Sequence, residues 1–557
     1  MRQGDFGSTP IFDPFPTARN PSGSGYVRTQ FPNNIIPASR MDPLGRKIMD
    51  RYPAPIGAGL ANNYVRNAPM LQNNHNGVVR GDVQVTPSDT MFGRLSLTRF
   101  KIAGQPALPA PAQTPVDRNI NSWGVGYGYT RTFSPKLVNE LRFAWTRMTM
   151  TQDATLPRDE IIPGMLDPKV QSSIPVFNIT GFAGIGIQAI TNNVPMTKSS
   201  AVWDISDNVS KSIERHMLKF GADVQFIRPG TFATMRGRGS FGFTGVFTQN
   251  PQGRPRTGSA AADLLLGTAN ALNTGTTTES AERGRYVGLY FQDEWSATRS
   301  LTFTLGMRYE LFYPYTEVEN RMANFILDPG DPLFGSFIVA GDPRKPRSLL
   351  ALDKNNWGPR VGFAWRVPGI KDMVVRSSYG IFFAQDTGLG VIDRMTGNPP
   401  FYGYGSVSVI SDQLFPSTGY VLSSGAPVPR SAPVDPEQFV LDPSSTAPLR
   451  SWHQRYTQPY TQQWNFNIQK QLPWNLIWQT SYVGNMGVHI WGNSEGNQPL
   501  VNGPGSPTNR RPLAPYTRAS VGTLAPWNRS AYHGMSSRLE KRFGIGVSFG
   551  ASFTYGR

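Results

Sequence analysis

The chain of 557 residues contains no cysteine, which excludes disulfide scaffolds, thiolate zinc sites, iron–sulfur clusters and cysteine nucleophiles together. Charge is scarce as well: Asp, Glu, Lys and Arg make up 16% of the sequence, against about 25% in ordinary globular proteins. With aromatic residues at 11%, such a composition is not that of a disordered chain. There is no apolar run of about 18 residues, and hence no membrane-spanning helix. Residues 1–6 lack the basic start and apolar stretch of a secretory signal. If this protein works in a membrane, it must cross it with β-strands.

Glycine (57) and proline (48) are abundant, as expected of a chain with many turns and loops. The net charge of +17 raises nucleic acid as a partner, but its distribution argues against one. Of the basic residues 42 are Arg and 12 are Lys, scattered singly. The densest group, Arg236, Arg238, Arg254 and Arg256, lies in a Gly/Pro-rich stretch and forms no basic helix. No zinc-finger, basic-zipper or RNA-binding signature is present. Dispersed arginine fits a wet, charged interior, or a surface against anionic lipid headgroups such as lipopolysaccharide.

The strongest signal is alternation with a period of two. In 137–146 one face carries Leu137, Leu141, Phe143 and Trp145, and the other Val138, Glu140, Arg142, Ala144 and Thr146. In 301–311 Leu301, Phe303, Leu305, Met307, Tyr309 and Leu311 alternate with Thr302, Thr304, Gly306, Arg308 and Glu310. A helix would scatter these residues around its circumference, so both segments are strands. Phe303 reads as a mid-strand residue of the apolar face.

Such strands come in seven pairs joined by short turns: 78–85 with 91–100, 123–132 with 137–148, 202–212 with 217–227, 286–295 with 301–312, 357–367 with 373–383, 461–471 with 476–483, and 532–542 with 547–555. Long polar connections, roughly 149–200, 228–285, 313–356, 384–460 and 484–531, separate the pairs. Turns near 88, 135, 214, 298, 370, 474 and 545 keep no fixed period, which excludes a propeller. Sandwiches would show turns every 8–12 residues on both sides of each strand. Short turns on one side, long loops on the other and strands of about ten residues describe an outer-membrane barrel. Trp123, Trp145, Trp203, Trp295, Trp357, Trp365, Trp464 and Trp478 lie near strand ends, as membrane girdles do. The expected fold is all-β, an antiparallel meander of about fourteen strands forming part of a large transmembrane outer-membrane β-barrel.

Ahead of the strands, Asp42 is an N-cap candidate with Pro43 at the first helical position, so 44–52 can form a short helix with Leu44, Ile48 and Tyr52 on its apolar face. The stretches 31–43, 89–100, 456–469 and 538–555, in this order, resemble segments of the TonB-dependent outer-membrane receptors of the Oar-like, acidobacterial type. That resemblance runs over nearly the whole chain. It implies a receptor or transporter for a large ligand held at the extracellular loops and driven by the TonB–ExbB–ExbD system. Full members of that family carry a signal peptide, a TonB box, a plug and a barrel of about 22 strands. None of the first three is recognisable here, so the sequence reads as a fragment. Its expected division is an irregular region over 1–76, with a short helix near 43–52, and barrel strands over 77–557.

Candidate chemistry is sparse. His75, His216, His453, His489 and His533 show no metal-ligand spacing. The stretch 237–242 satisfies GxGxxG but lies outside any parallel βαβ pattern, and reads as a flexible loop entering a strand. Glu140, Asp204, Asp223, Asp293, Glu294 and Glu310 alternate with Arg, a pattern that could suggest acid/base pairs, but they are expected to form lumen-facing polar ladders with Arg142, Arg308, Arg360 and Arg376. Asp328, Asp331 and Asp342, each beside Pro or Gly, read as turn formers before calcium ligands. No catalytic, cofactor-binding or metal-binding residue is expected, and no enzyme activity. The alternatives to a receptor are an adhesin that works through its long loops without transport and, more remotely, a barrel enzyme.

Overall fold

The computed structural model describes residues 1–557 except 58–61, 188–193, 235, 254–256, 386–393, 409–420, 426–438, 443–447, 500, 514, 517–519 and 545. Arg254, Arg256 and one residue of the last expected turn, Ile545, therefore lie outside the described residues. Fourteen strands form one meander: β1 (Leu71–Thr86), β2 (Asp89–Gly104), β3 (Val116–Ser134), β4 (Leu137–Ala154), β5 (Met196–Ile213), β6 (His216–Thr234), β7 (Thr277–Trp295), β8 (Leu301–Glu317), β9 (Trp357–Arg366), β10 (Met373–Phe383), β11 (Tyr460–Leu472), β12 (Leu476–Glu495), β13 (Ser520–Gly544) and β14 (Val547–Gly556). Each pairs antiparallel with the next. A fifteenth strand, Pro448–Trp452, lies parallel to the start of β13. Among the described residues, β1 and β14 gain no second neighbour, and every residue of both is exposed.

All seven expected pairs are present, but most of their strands run further than the alternation indicates. β3 covers Val116–Ser134 rather than 123–132, and β13 covers Ser520–Gly544 rather than 532–542. Alternation marks only the stretch where one face is apolar. Beyond it the backbone ladder continues through polar residues such as Asn119, paired with Thr151, and Asn121, paired with Thr149.

The two faces are inverted relative to a water-soluble protein. Cross-strand register places Val125, Trp145, Trp203 and Phe226 in one row and Phe303, Phe363, Phe466, Tyr482 and Met535 in rows nearer the short turns. This face is open, with Leu305 and Met307 at 43% and 41% exposure, whereas Glu310 on the opposite face is 7% exposed. A continuous exposed apolar belt of this size is a lipid-type surface. Trp357 and Trp365 mark its two edges on β9, eight residues or about 26 Å apart along the strand. Phe303 is not mid-strand. Because β8 runs from Leu301 to Glu317, Phe303 is its third residue and lies beside the short turn, stacked on Trp295 at 5.7 Å.

The residues before β1 are more ordered than their sequence indicates. Phe12–Arg19 and Tyr26–Gln30 form an antiparallel pair, and Pro43–Met49 forms helix α1. Asp42 caps α1 as expected, its side chain accepting from the N–H groups of Leu44 and Gly45 at 2.8 and 3.0 Å.

Candidate functional site: a capped mouth above a polar wall

The long connections 105–115, 155–195, 235–276, 318–356, 384–459 and 496–519 all leave the same ends of the strands, and many of their described residues are packed into buried cores. The connections after β4 and β6 combine with the N-terminal residues around one core. In it Phe6, Ile11, Ile36 and Ile48 pack with Ile162, Phe177, Phe241, Leu264 and Leu272. A four-stranded sheet, in the order Tyr404–Ser408, Ala271–Gly275, Ser240–Phe243 and Val176–Ile179, forms its frame. Helix α2 (Ala260–Leu265) is wholly buried and lies against α1. A Cβ on Gly45 of α1 would come 2.0 Å from the Leu264 carbonyl oxygen, so glycine permits this approach.

Two buried charges organise this cap. Asp263 of α2 accepts at Oδ2 from the N–H groups of Gly245 and Phe247, and at Oδ1 from the N–H and hydroxyl of Thr248, at 2.7 to 3.4 Å. Burial pushes its carboxyl up to about 7, against the pull of these four donors. Arg238 is 1% exposed and donates from Nε to the Val194 carbonyl at 2.8 Å, and from Nη2 to the Ser172 hydroxyl at 3.0 Å. Burial lowers its pKa to about 10. The GxGxxG stretch is thus a packed strand entry anchored by its arginine, not the flexible loop expected from sequence.

A second set of connections closes around aromatic residues. Trp452, Tyr456 and Trp491 stand 5.1 to 5.6 Å apart between ring centres. Asn324 clamps Trp452 by accepting from its N–H and donating to its carbonyl, both at 2.9 Å. Gln454 bridges Leu327, Asp328 and Phe325. The aspartates at 328, 331 and 342 do form turns, each side chain accepting from an N–H two residues on.

Below the cap, the polar face of the meander carries linked charges. Arg308 donates from Nε to Glu310 Oε1 at 3.0 Å, and from Nη2 to the Tyr286 hydroxyl at 2.5 Å and to Asp223 at 3.4 Å. Tyr286 donates to the same Glu310 oxygen at 2.7 Å. Gly288 leaves room for this crossing: a Cβ there would meet the Tyr286 hydroxyl at 2.5 Å and Arg308 Nη2 at 2.8 Å. Asp204 accepts from Gln225 at 2.8 Å, and Arg142 pairs with Glu140 at 2.6 Å. The expected ladders are present in part. Arg376 donates to Gln469 rather than to an acid, and the Arg360 guanidinium lies over Phe382 at 4.6 Å. Asp293 is on the apolar face, opposite Leu305, where it pairs with His216 at 2.8 Å beside the short turn.

The histidines are dispersed through the fold. His216 stacks on Trp295, His453 meets Trp527 edge-on, His489 meets Tyr460 and His533 lies near Trp464, while His75 is on the exposed strand β1. Among the described residues, no group of three or more His, Asp or Glu is arranged to hold a metal ion.

The architecture defines an outer-membrane barrel wall, and comparison agrees. The chain belongs to the outer membrane beta barrel domain family, which it matches over residues 1–557. Its location is accordingly the cell outer membrane. No curated protein is similar to it in sequence. Among solved structures it is similar to the outer membrane transporter YddB from Escherichia coli, with 9% identity and a TM-score of 0.49 over 88% of this chain and 49% of that one. It is also similar to the ferric enterobactin receptor PfeA from Pseudomonas aeruginosa, at 8% identity and a TM-score of 0.46 over 90% of this chain and 53% of that one. For the siderophore receptor PirA from Acinetobacter baumannii the values are 10% and 0.44, over 87% and 53%. The chain therefore spans about half the length of the solved proteins it matches.

Proposed function

We propose that this chain is wall and cap of a TonB-dependent outer-membrane receptor that binds a large ligand at its long connections and passes it inward. The observation carrying the proposal is the pairing of an organised, buried-core cap with a charged face beneath it, on a family-matched barrel wall. An ordered cap offers a pre-organised binding surface. A face lined by Arg308, Asp223 and Glu310 suits a watered passage. The resemblance of 31–43, 89–100, 456–469 and 538–555 to Oar-like receptors points the same way. In this reading energy comes from TonB–ExbB–ExbD, the anionic headgroups of lipopolysaccharide border the apolar belt, and the protein is a receptor rather than an enzyme.

The test is uptake in cells expressing the receptor with and without TonB. Ligand accumulation that stops when TonB is deleted, with surface binding retained, is the expected outcome. Accumulation unchanged without TonB would contradict TonB-driven transport, and surface adhesion with no accumulation in either strain would favour an adhesin.

A further inference from the structure

At the cap ends of β6, β7 and β8 two glutamates face one another. Glu282 and Glu317 are direct cross-strand partners on β7 and β8, and each is 2% exposed. Glu317 has clear partners: Oε1 accepts from the N–H of Ala281 at 3.1 Å, and Oε2 from those of Glu319 and Arg321 at 2.6 and 2.8 Å. Those bonds fasten the turn that follows β8. Glu282 is different: both of its carboxylate oxygens are buried without a well-aligned hydrogen bond, with only the Ser280 hydroxyl and its own N–H beside them.

A second unpartnered oxygen lies beside it. Thr231 on β6 pairs with Ser280, which places it diagonal to Glu282 on the same face. Diagonal neighbours lie about 7–8 Å apart, within reach of a long side chain. Thr231 is 8% exposed, and its hydroxyl is also buried without a partner. Lys198 lies opposite Thr231 on β5 and has an interaction of its own. Among the described residues no cationic group acts on Glu282, whereas Glu317 does, as a like charge.

Burying one carboxylate against another without a counter-charge is strongly unfavourable. A bound cation removes that cost. The donors available are carboxylate and hydroxyl oxygens with no nitrogen or sulfur among them, the ligand set of a hard cation. We propose that Glu282, with the Thr231 hydroxyl and the remaining lone pair of Glu317 Oε1, forms a binding site for a divalent cation of the calcium class. The cation would tie together the ends of β6, β7 and β8 where the cap begins. A site with so few carboxylates suits the affinity of extracellular calcium modules, roughly 10⁻⁴–10⁻³ M.

The experiment is thermal unfolding of the full chain in detergent micelles, in EDTA and in saturating CaCl₂, with direct titration of calcium. The wild type is expected to gain unfolding temperature with calcium. Glu282→Gln should lose that gain while unfolding in EDTA no lower than the wild type, because it removes the unpaired buried charge. Thr231→Val, which keeps the shape of the side chain, should bind calcium several-fold more weakly with its EDTA midpoint retained. An equal calcium response in wild type and Glu282→Gln would place the ion at other carboxylates and overturn the proposal. No calcium response in the wild type would also overturn it, leaving Glu282 as a neutral buried acid.

Discussion

Met307→Arg is expected to remove most of the assembled protein from the outer membrane, whereas Thr304→Arg on the same strand leaves assembly close to the wild-type level. Met307 is on the apolar face of β8, opposite Phe291 and Pro359, with 41% exposure. The belt on this strand extends from Leu301 to Leu311, so Met307 lies near its midplane. Arginine there costs about 2–4 kcal/mol, falling to about 0–1 kcal/mol near the interfaces. Phe303→Arg, beside the short turn, should therefore be milder than Met307→Arg despite pointing to the same side. Thr304 is on the polar face opposite Glu294, so an arginine there gains an acidic neighbour. The fraction of folded protein in purified outer membranes, scored by heat-modifiable migration on gels, measures all three. Equal loss for Met307→Arg and Thr304→Arg would contradict the assignment of the two faces.

The second large effect concerns the cap. Asp263→Ala should open it to protease on intact cells and destabilise it by about 3–5 kcal/mol. The N–H groups of Gly245, Phe247 and Thr248 would be left buried without acceptors, each at about 1–3 kcal/mol before relaxation. Asp263→Asn is not conservative either, because both oxygens now accept and an amide group would face a donor. The wild type should also show a pH dependence that Asp263→Ala lacks. Burial raises the native carboxyl to about 7, above its unfolded value of about 4. Across that window the native state holds a proton that the unfolded state has released, so this contribution to stability is full below pH ~4 and is lost as pH rises through ~7. Protease sensitivity of the cap that falls with rising pH would contradict that sign.

The wall was far more legible in the sequence than the cap. Strands such as Leu301–Glu317 declare themselves because one face meets an apolar medium for ten residues, giving an alternation that needs no knowledge of neighbours. Their far ends do not, since the ladder past Val125 and Trp145 is held by backbone bonds between polar residues. The cap core joins Phe6 to Phe177 and Leu264, partners hundreds of residues apart, and no local period marks such contacts. One signal was available: 260–266 reads Ala-Ala-Ala-Asp-Leu-Leu-Leu, and an acid inside an apolar run announces a buried acceptor. The pairing of Glu282 with Glu317 depends on register across β7 and β8, which a change in register after Arg283 makes invisible to spacing rules.

The central claim is an outer-membrane wall with its long connections outside and its short turns within. The absence of cysteine permits a direct test with single cysteines at the two ends of β12. Trp474, 81% exposed, lies in the short turn before the strand, and Val501, 72% exposed, lies in the connection after it. With a membrane-impermeant maleimide, Val501→Cys should be labelled on intact cells, and Trp474→Cys only after the outer membrane is permeabilised. Labelling of Trp474→Cys on intact cells, with Val501→Cys protected, would contradict the account.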